Sequence, residues 1–305
     1  MNIGVVLVTF NRLNDLKKTL ALYEVQSKAP DYILVVNNNS TDGTDVFLEK
    51  WKKEEKSIPH TVVTLPENIG GSGGFHYGAK KALELDAEWI WMADDDAFPD
   101  ENALEALENF SKQHEEVVRG AAALCTKNVG RNGIGQGHRC RVKRTALGTF
   151  IVPVLEEEYQ KDYFELDIYS FVGAVVKKEV MQKVGLPDKD FFIYEDDVEH
   201  SLRVRACGTI ICVPEAKITH YENAASNEAS WRDYYTTRNV LLTYKYHFGT
   251  YAYGVRLICR FLTACRSLNP EKLKIFFVAA QDAKKGVKGI HSVYRPGWTP
   301  KHKSQ

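Results

Sequence analysis

The chain has little of what marks the specialised protein classes. Its six cysteines (Cys125, Cys140, Cys207, Cys212, Cys259 and Cys265) form no CxxC pair and no zinc-ligand spacing. Neither a disulfide framework nor a zinc module is indicated, and the thiols read as reduced packing residues. Ten prolines and 21 glycines in 305 residues, without a repeat, exclude a collagen or a low-complexity linker protein. No apolar run approaches the ~20 residues of a membrane span. The opening MNIGVVLVTFNR has no basic n-region and no cleavage site, and its apolar run breaks after Phe10, so it is not a signal peptide. The expectation is a protein made and kept in the cytoplasm. Apolar residues make up 44% and charged residues 26%, which excludes disorder and supplies a sizeable core.

Net charge is also missing, but only in total. Lys+Arg and Asp+Glu are both 40. Residues 251–305 hold 11 basic against 2 acidic side chains, a net of +9, which leaves 29 against 38, a net of −9, in residues 1–250. An acidic body with a basic tail suggests two units, 1–250 and 251–305, the second meeting an anionic surface.

What is present first is an alternation of strands and helices. Ile3–Val8, Tyr32–Val36, Thr61–Leu65 and Trp89–Met92 are short, β-branched or apolar runs, as buried parallel strands require. Between them, helical spacing runs over Leu13–Val25, Val46–Trp51 and Ala79–Leu85. This predicts an α/β fold, a mostly parallel central sheet flanked by helices. Further on, strands are predicted at Ala121–Leu124, Tyr169–Lys177 and Thr209–Val213, with a Gly-rich loop over Asn128–Gly137. Helices are predicted at Lys178–Val184, Val198–Cys207, Trp231–Phe248 and Tyr251–Ala264.

In an open α/β sheet, ligands bind beyond the carboxyl ends of the strands. There lie Thr9-Phe10-Asn11-Arg12, then Asn37–Thr44, then Asp94-Asp95-Asp96. Three adjacent carboxylates repel one another unless a cation is shared, and Mg²⁺ or Mn²⁺ takes one or two of them plus substrate phosphates. A solvated acidic turn is the plainer alternative, but the apolar WIWM strand before it favours a metal. Asn68–Phe75 (NIGGSGGF) reads as a Gly-rich loop opening the helix at Ala79, suited to close approach of an anion; an ordinary turn explains it equally well. A second acidic knot, Glu195-Asp196-Asp197, precedes a helix, where acids also stabilise the first turn. One knot holding metal and the other supplying a base would be complementary. His220, on a short loop after a strand, is chemically suited to complete an aspartate-held Mn²⁺ shell.

These motifs, VTFNR, VVNNNSTDGT, ENIGGSGGF, the Asp triplet, FFIYEDDVEHSLR and the histidine of VPEAKITH, resemble those of the family-2 glycosyltransferases. The likeness runs from Val5 to about Tyr244, and the YYTTRN stretch resembles the galactofuranosyltransferase branch and its rhamnosyltransferase relatives. The resemblance implies the GT-A nucleotide-diphospho-sugar transferase fold with a C-terminal helical extension, and inverting transfer of a sugar to a hydroxyl of a cell-surface glycan precursor.

It also implies roles. Thr9, Asn11, Arg12, Asn37, Asn68, Gly70, Gly71, Asp94 and Asp95 would bind the donor. Asp94, Asp96 and His220 would hold Mn²⁺ or Mg²⁺. Asp197 would be the catalytic base, with Asp196 binding sugar, and Trp231 and Tyr235 would face the acceptor. One departure is Asn37, where the family usually has Asp. UDP-galactofuranose is the expected donor and dTDP-rhamnose the alternative. A lipid-linked acceptor would explain the basic tail, in which Arg256, Arg260, Lys272, Lys274, Lys284, Lys285 and Lys288 interleave with apolar residues. They suit peripheral contact with the inner face of the plasma membrane; a packed helical pair or dimer contact is an equal alternative. Nucleic acid is not expected, since the body is acidic and no reader motif occurs. A nucleotidyltransferase would carry a Gly-rich, basic loop where this chain has TFNR, and a non-catalytic binder would not need Asp197.

Overall fold

The computed structural model describes residues 1–54, 57–131, 133–135, 137–221 and 227–300. Its first third is a run of strand–helix units: β1 (Ile3–Thr9), α1 (Leu13–Glu24), β2 (Tyr32–Asn37), α2 (Thr44–Trp51), β3 (His60–Thr64), α3 (Gly70–Ala82) and β4 (Trp89–Asp94). A short return strand β5 (Ala97–Pro99) leads to α4 (Ala103–Gln113), α5 (Glu115–Gly120), β6 (Ala121–Gly130) and β7 (Gly133–Ile134). A hairpin of β8 (Arg139–Thr145) and β9 (Gly148–Pro153) follows, then β10 (Phe164–Leu166), β11 (Ile168–Tyr169) and β12 (Ala174–Lys177). The chain ends in α6 (Lys178–Val184), α7 (Asp196–Arg205), β13 (Thr209–His220), α8 (Trp231–His247), α9 (Gly249–Arg266) and α10 (Pro270–Lys285).

The central sheet runs β10-β13-β6-β12-β4-β1-β2-β3. Its strands β3-β2-β1-β4 are parallel, as are β6 and β13, while β12 lies antiparallel between the two groups. Strands β1, β2 and β4 are buried on both faces because alternate side chains feed two cores, whereas β3 is a half-buried edge strand. Val5, Leu7, Ile33, Val35 and Trp91 meet α1, α2 and α4 on one side. Val6, Val8, Leu34, Val36 and Met92 meet α3, α6 and α7 on the other. This is why the sequence shows continuous apolar runs there rather than alternation.

Three expectations are corrected. The Asn68–Phe75 glycines are not a loop: α3 begins at Gly70, nine residues before Ala79. A Cβ on Gly74 would lie 2.4 Å from Val8 Cγ1, and one on Gly78 would lie 2.6 Å from Val6 Cγ1, so these glycines let the helix lie close on the sheet. Gly74→Val is expected to cost about 1–3 kcal/mol by overpacking, read from urea unfolding midpoints. Gly71→Ala, whose methyl meets nothing within 4 Å, should not destabilise. Second, Tyr169–Lys177 is two strands, β11 and β12, in different sheets. Third, β13 continues to His220 through an irregularity between Val213 and Lys217, so the histidine ends a strand. The Asn128–Gly137 stretch contains the end of β6 and all of β7; Asn132 and Gln136 lie outside the described residues.

The basic C-terminal segment packs on α8. Tyr234 and Tyr235 share a core with Ile275, Ala279 and Tyr294, and Leu241 and Leu242 share one with Ala283. Its cations do not form a single outward face. Lys288 Nζ sits 2.5 Å from Asp188 Oδ2, and Lys274 pairs with Glu271 at 2.6 Å. Arg256 and Arg260 turn inward, whereas Lys284 and Lys285 are exposed. Among the described residues no helix is long and apolar enough to cross a membrane.

Candidate active site

The site forms where β1 sits between β2 and β4, the point at which the strand order reverses. Thr9 pairs in register with Asn37, and Val8 with Asp94, so the three loaded loops leave the sheet at one level. Each is then tied to its neighbour. Asn11 N–H donates to Ser40 Oγ at 3.0 Å, and its Oδ1 accepts from Thr41 N–H at 2.7 Å. Asn37 is fully buried and its Oδ1 accepts from Ser40 N–H at 2.9 Å. Asn38, which the motif reading passed over, donates to Asn68 Oδ1 and to Gly70 O. Asn68 Oδ1 also accepts from Gly70 N–H at 2.9 Å, so it fastens the start of α3.

The three aspartates have three environments. Asp95 is buried and accepts from Phe10 N–H (3.3 Å) and Arg12 Nη1 (3.1 Å), which makes it a tie between the β1 and β4 loops. Burial pushes it up to about 6 against the pull of Arg12. Asp96 receives the other Arg12 contact at 2.6 Å and lies 3.5 Å from His220 Nε2. His220 and Arg12 hold it below the usual carboxylate range despite burial. Asp94 is pushed up to about 7, by burial first and then by Asp96 and Asp95. His220 reaches Asp96 because β5 pairs with the end of β13, setting Ala97 opposite His220. His138, whose Nδ1 lies 2.6 Å from Ser170 Oγ, packs edge-on against the His220 ring at 5.4 Å.

Asp96 and His220 are thus brought together, with Asp94 in their field. Among the described residues no group of three His, Cys, Asp or Glu side chains is gathered as a closed metal cage. An oxygen and an imidazole donor fit an open site for a divalent ion that takes its remaining ligands from phosphate oxygens.

The second acidic knot faces this one. Asp196 and Asp197 start α7, and Asp196 lies in the fields of Asp197 and of Asp94. Asp196 is buried and pushed well up by burial and then by Asp197. Asp197 is only partly buried and its Oδ1 accepts from Val198 N–H at 2.7 Å. Burial raises it only to about 6, because backbone N–H groups and the Arg139 charge oppose the rise. Arg139 itself is wholly buried and donates to the carbonyls of Thr126, His138, Val172 and Gly173.

The turn that presents this pair is strained and clamped. Phe192, Tyr194 and Glu195 all have φ between 66° and 68°, in the left-handed region that costs non-glycine residues energy. Asn239 Nδ2 holds the carbonyls of Phe191, Ile193 and Tyr194 at 2.8–3.0 Å, and Arg238 Nη2 donates to Phe191 O at 3.0 Å. Phe192 O approaches α3 where only glycine fits, since a Cβ on Gly70 would lie 1.9 Å from it. The YYTTRN stretch therefore supplies this clamp. Tyr235 is buried against Phe192 and Arg238, and its hydroxyl accepts from His291 N–H at 3.0 Å. Trp231, next to it, is partly exposed.

The model of the family "Glycosyl transferase family 2" matches residues 4–185. Galactofuranosyltransferase GlfT1 of Mycobacterium tuberculosis is 26% identical over 210 residues, which cover 67% of this chain and 64% of that protein. The chain thus spans just under two thirds of the length of that relative. The dTDP-rhamnosyl transferase RfbF of Shigella flexneri is 26% identical over 220 residues, 72% of this chain and 69% of that protein. Among solved structures, S. aureus TarS 1–349 in complex with UDP-GlcNAc superposes with a TM-score of 0.62 at 15% identity, covering 94% of this chain and 82% of that one. That likeness supports the fold: a mixed α/β architecture with a mostly parallel central sheet and flanking helices.

Proposed function

The chain belongs to glycosyl transferase family 2, and from that footing we propose that it transfers a sugar, with inversion, from a nucleoside diphosphate to a hydroxyl of a glycan precursor. The observation that carries the reading is the convergence of two acidic groups near the sheet's switch point, Asp196 lying in the field of Asp94. Asp197 is the base: it is the more exposed of the pair and the more readily ionised. It takes the proton of the acceptor hydroxyl, whose oxygen then attacks the anomeric carbon from the face opposite the diphosphate. One displacement inverts that centre, so no covalent nucleophile is required. Asp196, pushed toward its protonated form by burial and by Asp197, binds a sugar oxygen. Thr9, Asn11, Arg12 and Asn37 line the nucleotide side, with the start of α3 at Asn68–Gly71. Asp96 and His220, with Asp94 beside them, would hold Mn²⁺ or Mg²⁺. The chemistry such an ion supplies when bound is neutralisation of charge on the leaving diphosphate.

UDP-galactofuranose is the favoured donor, supported by the GlfT1 likeness, with dTDP-rhamnose as the second reading supported by RfbF. Incubating the protein with each donor and Mn²⁺ and assaying the products tests both: free UDP or dTDP is expected, and pyrophosphate would point to nucleotidyl transfer instead. The acceptor is read as lipid-linked. Lys284→Glu with Lys285→Glu should loosen binding to anionic vesicles, measured by co-sedimentation, and spare transfer to a soluble acceptor analogue. Lys288 is unsuited to that test because it is committed to Asp188.

A further inference from the structure

We propose that Arg256 and Arg260 form a binding site for a phosphate group carried by the acceptor on an apolar chain, a site that rests on the glycosyltransferase reading above. The two residues lie one turn apart on α9, and the charges of both act on Glu195, the residue before the acidic pair. Arg260 Nη2 donates to Thr237 Oγ1 at 2.9 Å, and the Arg256 guanidinium lies over the Tyr244 ring at 5.1 Å. Arg256 Nε is buried with no hydrogen-bond partner. Among the described residues neither arginine is in an ion pair, both are partly buried, and Arg260 lies in the field of Arg256.

The acids around them do not cancel that charge. Asp233 is committed to the N-terminus of α8, where it accepts from Ser230 N–H at 2.8 Å. Glu195 lies in the field of both arginines, yet burial and Asp197 still push it up to about 7, and its Oε2 has no partner. Two guanidinium groups therefore lie beside the base with no ion-pair partner among the described residues. Guanidinium forks match phosphate oxygens in pairs of charge-assisted hydrogen bonds. Arg12 already serves the Asp95–Asp96 side of the cleft, whereas this pair acts on Glu195, beside Asp197, where the acceptor hydroxyl must arrive.

The same helix indicates what carries the phosphate. Ala252 is the one buried residue of α9, Ile258, Phe261 and Leu262 on it are exposed, and so is Leu268 in the turn that follows. Phe277 of α10, also exposed, adds to this stripe 6.1 Å from Phe261. Arginines inward and an apolar stripe outward suit a phosphate ester of a lipid whose chain leaves along the stripe.

The test is isothermal calorimetry on the full chain with two probes, decyl phosphate below its micelle concentration and UDP. Arg256→Gln with Arg260→Gln should weaken decyl phosphate by about tenfold or more while UDP stays within about twofold. Arg256→Lys with Arg260→Lys, which keeps the charge, should recover part of the loss and thereby separate binding from folding. Unchanged decyl phosphate affinity in the Gln variant would overturn the site. Equal loss of both probes would assign the pair to the donor diphosphate and also overturn it. Absence of UDP binding by the native chain would instead overturn the reading of the cleft, whatever decyl phosphate does.

Discussion

Asp197→Asn is expected to lower turnover by roughly 10²–10⁴, the range typical of a lost general base. The amide keeps the shape of the carboxylate and still accepts from Val198 N–H, the 2.7 Å contact that orients the side chain at the start of α7. It cannot take a proton, so kcat should fall while donor KM stays near its native value. Asp196→Asn should act differently. Burial and then Asp197 push that carboxyl well above the usual carboxylate range, and an amide keeps its shape and can donate a hydrogen bond. Its effect should therefore be smaller and fall mainly on KM. The pH profile gives an independent check: with Asp197 raised to about 6, the base form is present above that value and is lost as pH falls through it. Transfer in the native enzyme should decline on that limb, and the residual activity of Asp197→Asn should not. Near-native turnover in Asp197→Asn with a dead Asp196→Asn would mean that the other carboxylate is the base.

How much of this site could be read in the chain depends on where its contacts lie. Strands β1, β2 and β4 were legible because a parallel strand buried on both faces must be apolar at nearly every position, as IGVVLV and WIWM are. The Asp triplet stood out because carboxylates directly after such a strand are anomalous. The Gly-rich stretch misled, because glycine lowers helix propensity and the gain that offsets it, close packing on Val6 and Val8, is tertiary. The β8–β9 hairpin carried no alternation to read: RCRVKRT is exposed toward its end, and GTFIVP is mostly half-buried. Arg139 and Asn239 were invisible for a related reason. Arg139 matters through carbonyls 13 to 34 residues away, and Asn239 through carbonyls 45 to 48 residues away. Tyr235 shows the opposite case: an aromatic near the acidic pair looks like a sugar platform in the sequence, and in the fold its ring packs against Phe192 of the strained turn.

Removing divalent metal is expected to abolish transfer, and adding Mn²⁺ or Mg²⁺ back should restore it. Excess chelator is the simple form of the experiment; Asp96→Asn is the sharper one. Asp96 is the carboxylate that the surroundings keep ionised, since His220 and Arg12 outweigh its burial, whereas Asp94 and Asp95 are pushed toward neutrality. We therefore expect it to be the main oxygen donor to a divalent ion. Asp96→Asn should weaken Mn²⁺ binding and lower turnover by at least about 10², comparable to losing a key electrostatic stabiliser of a developing negative charge. The fold should survive, because Arg12 retains Asp95 at 3.1 Å and Phe10 N–H remains bonded to that same carboxylate. An unchanged melting temperature would separate the metal effect from unfolding. His220→Ala should weaken Mn²⁺ less, by removing one neutral ligand instead of a charge. Electron paramagnetic resonance of Mn²⁺ with UDP present reads the binding directly, and full activity in excess chelator would remove the metal from the mechanism while leaving the role of Asp197 intact.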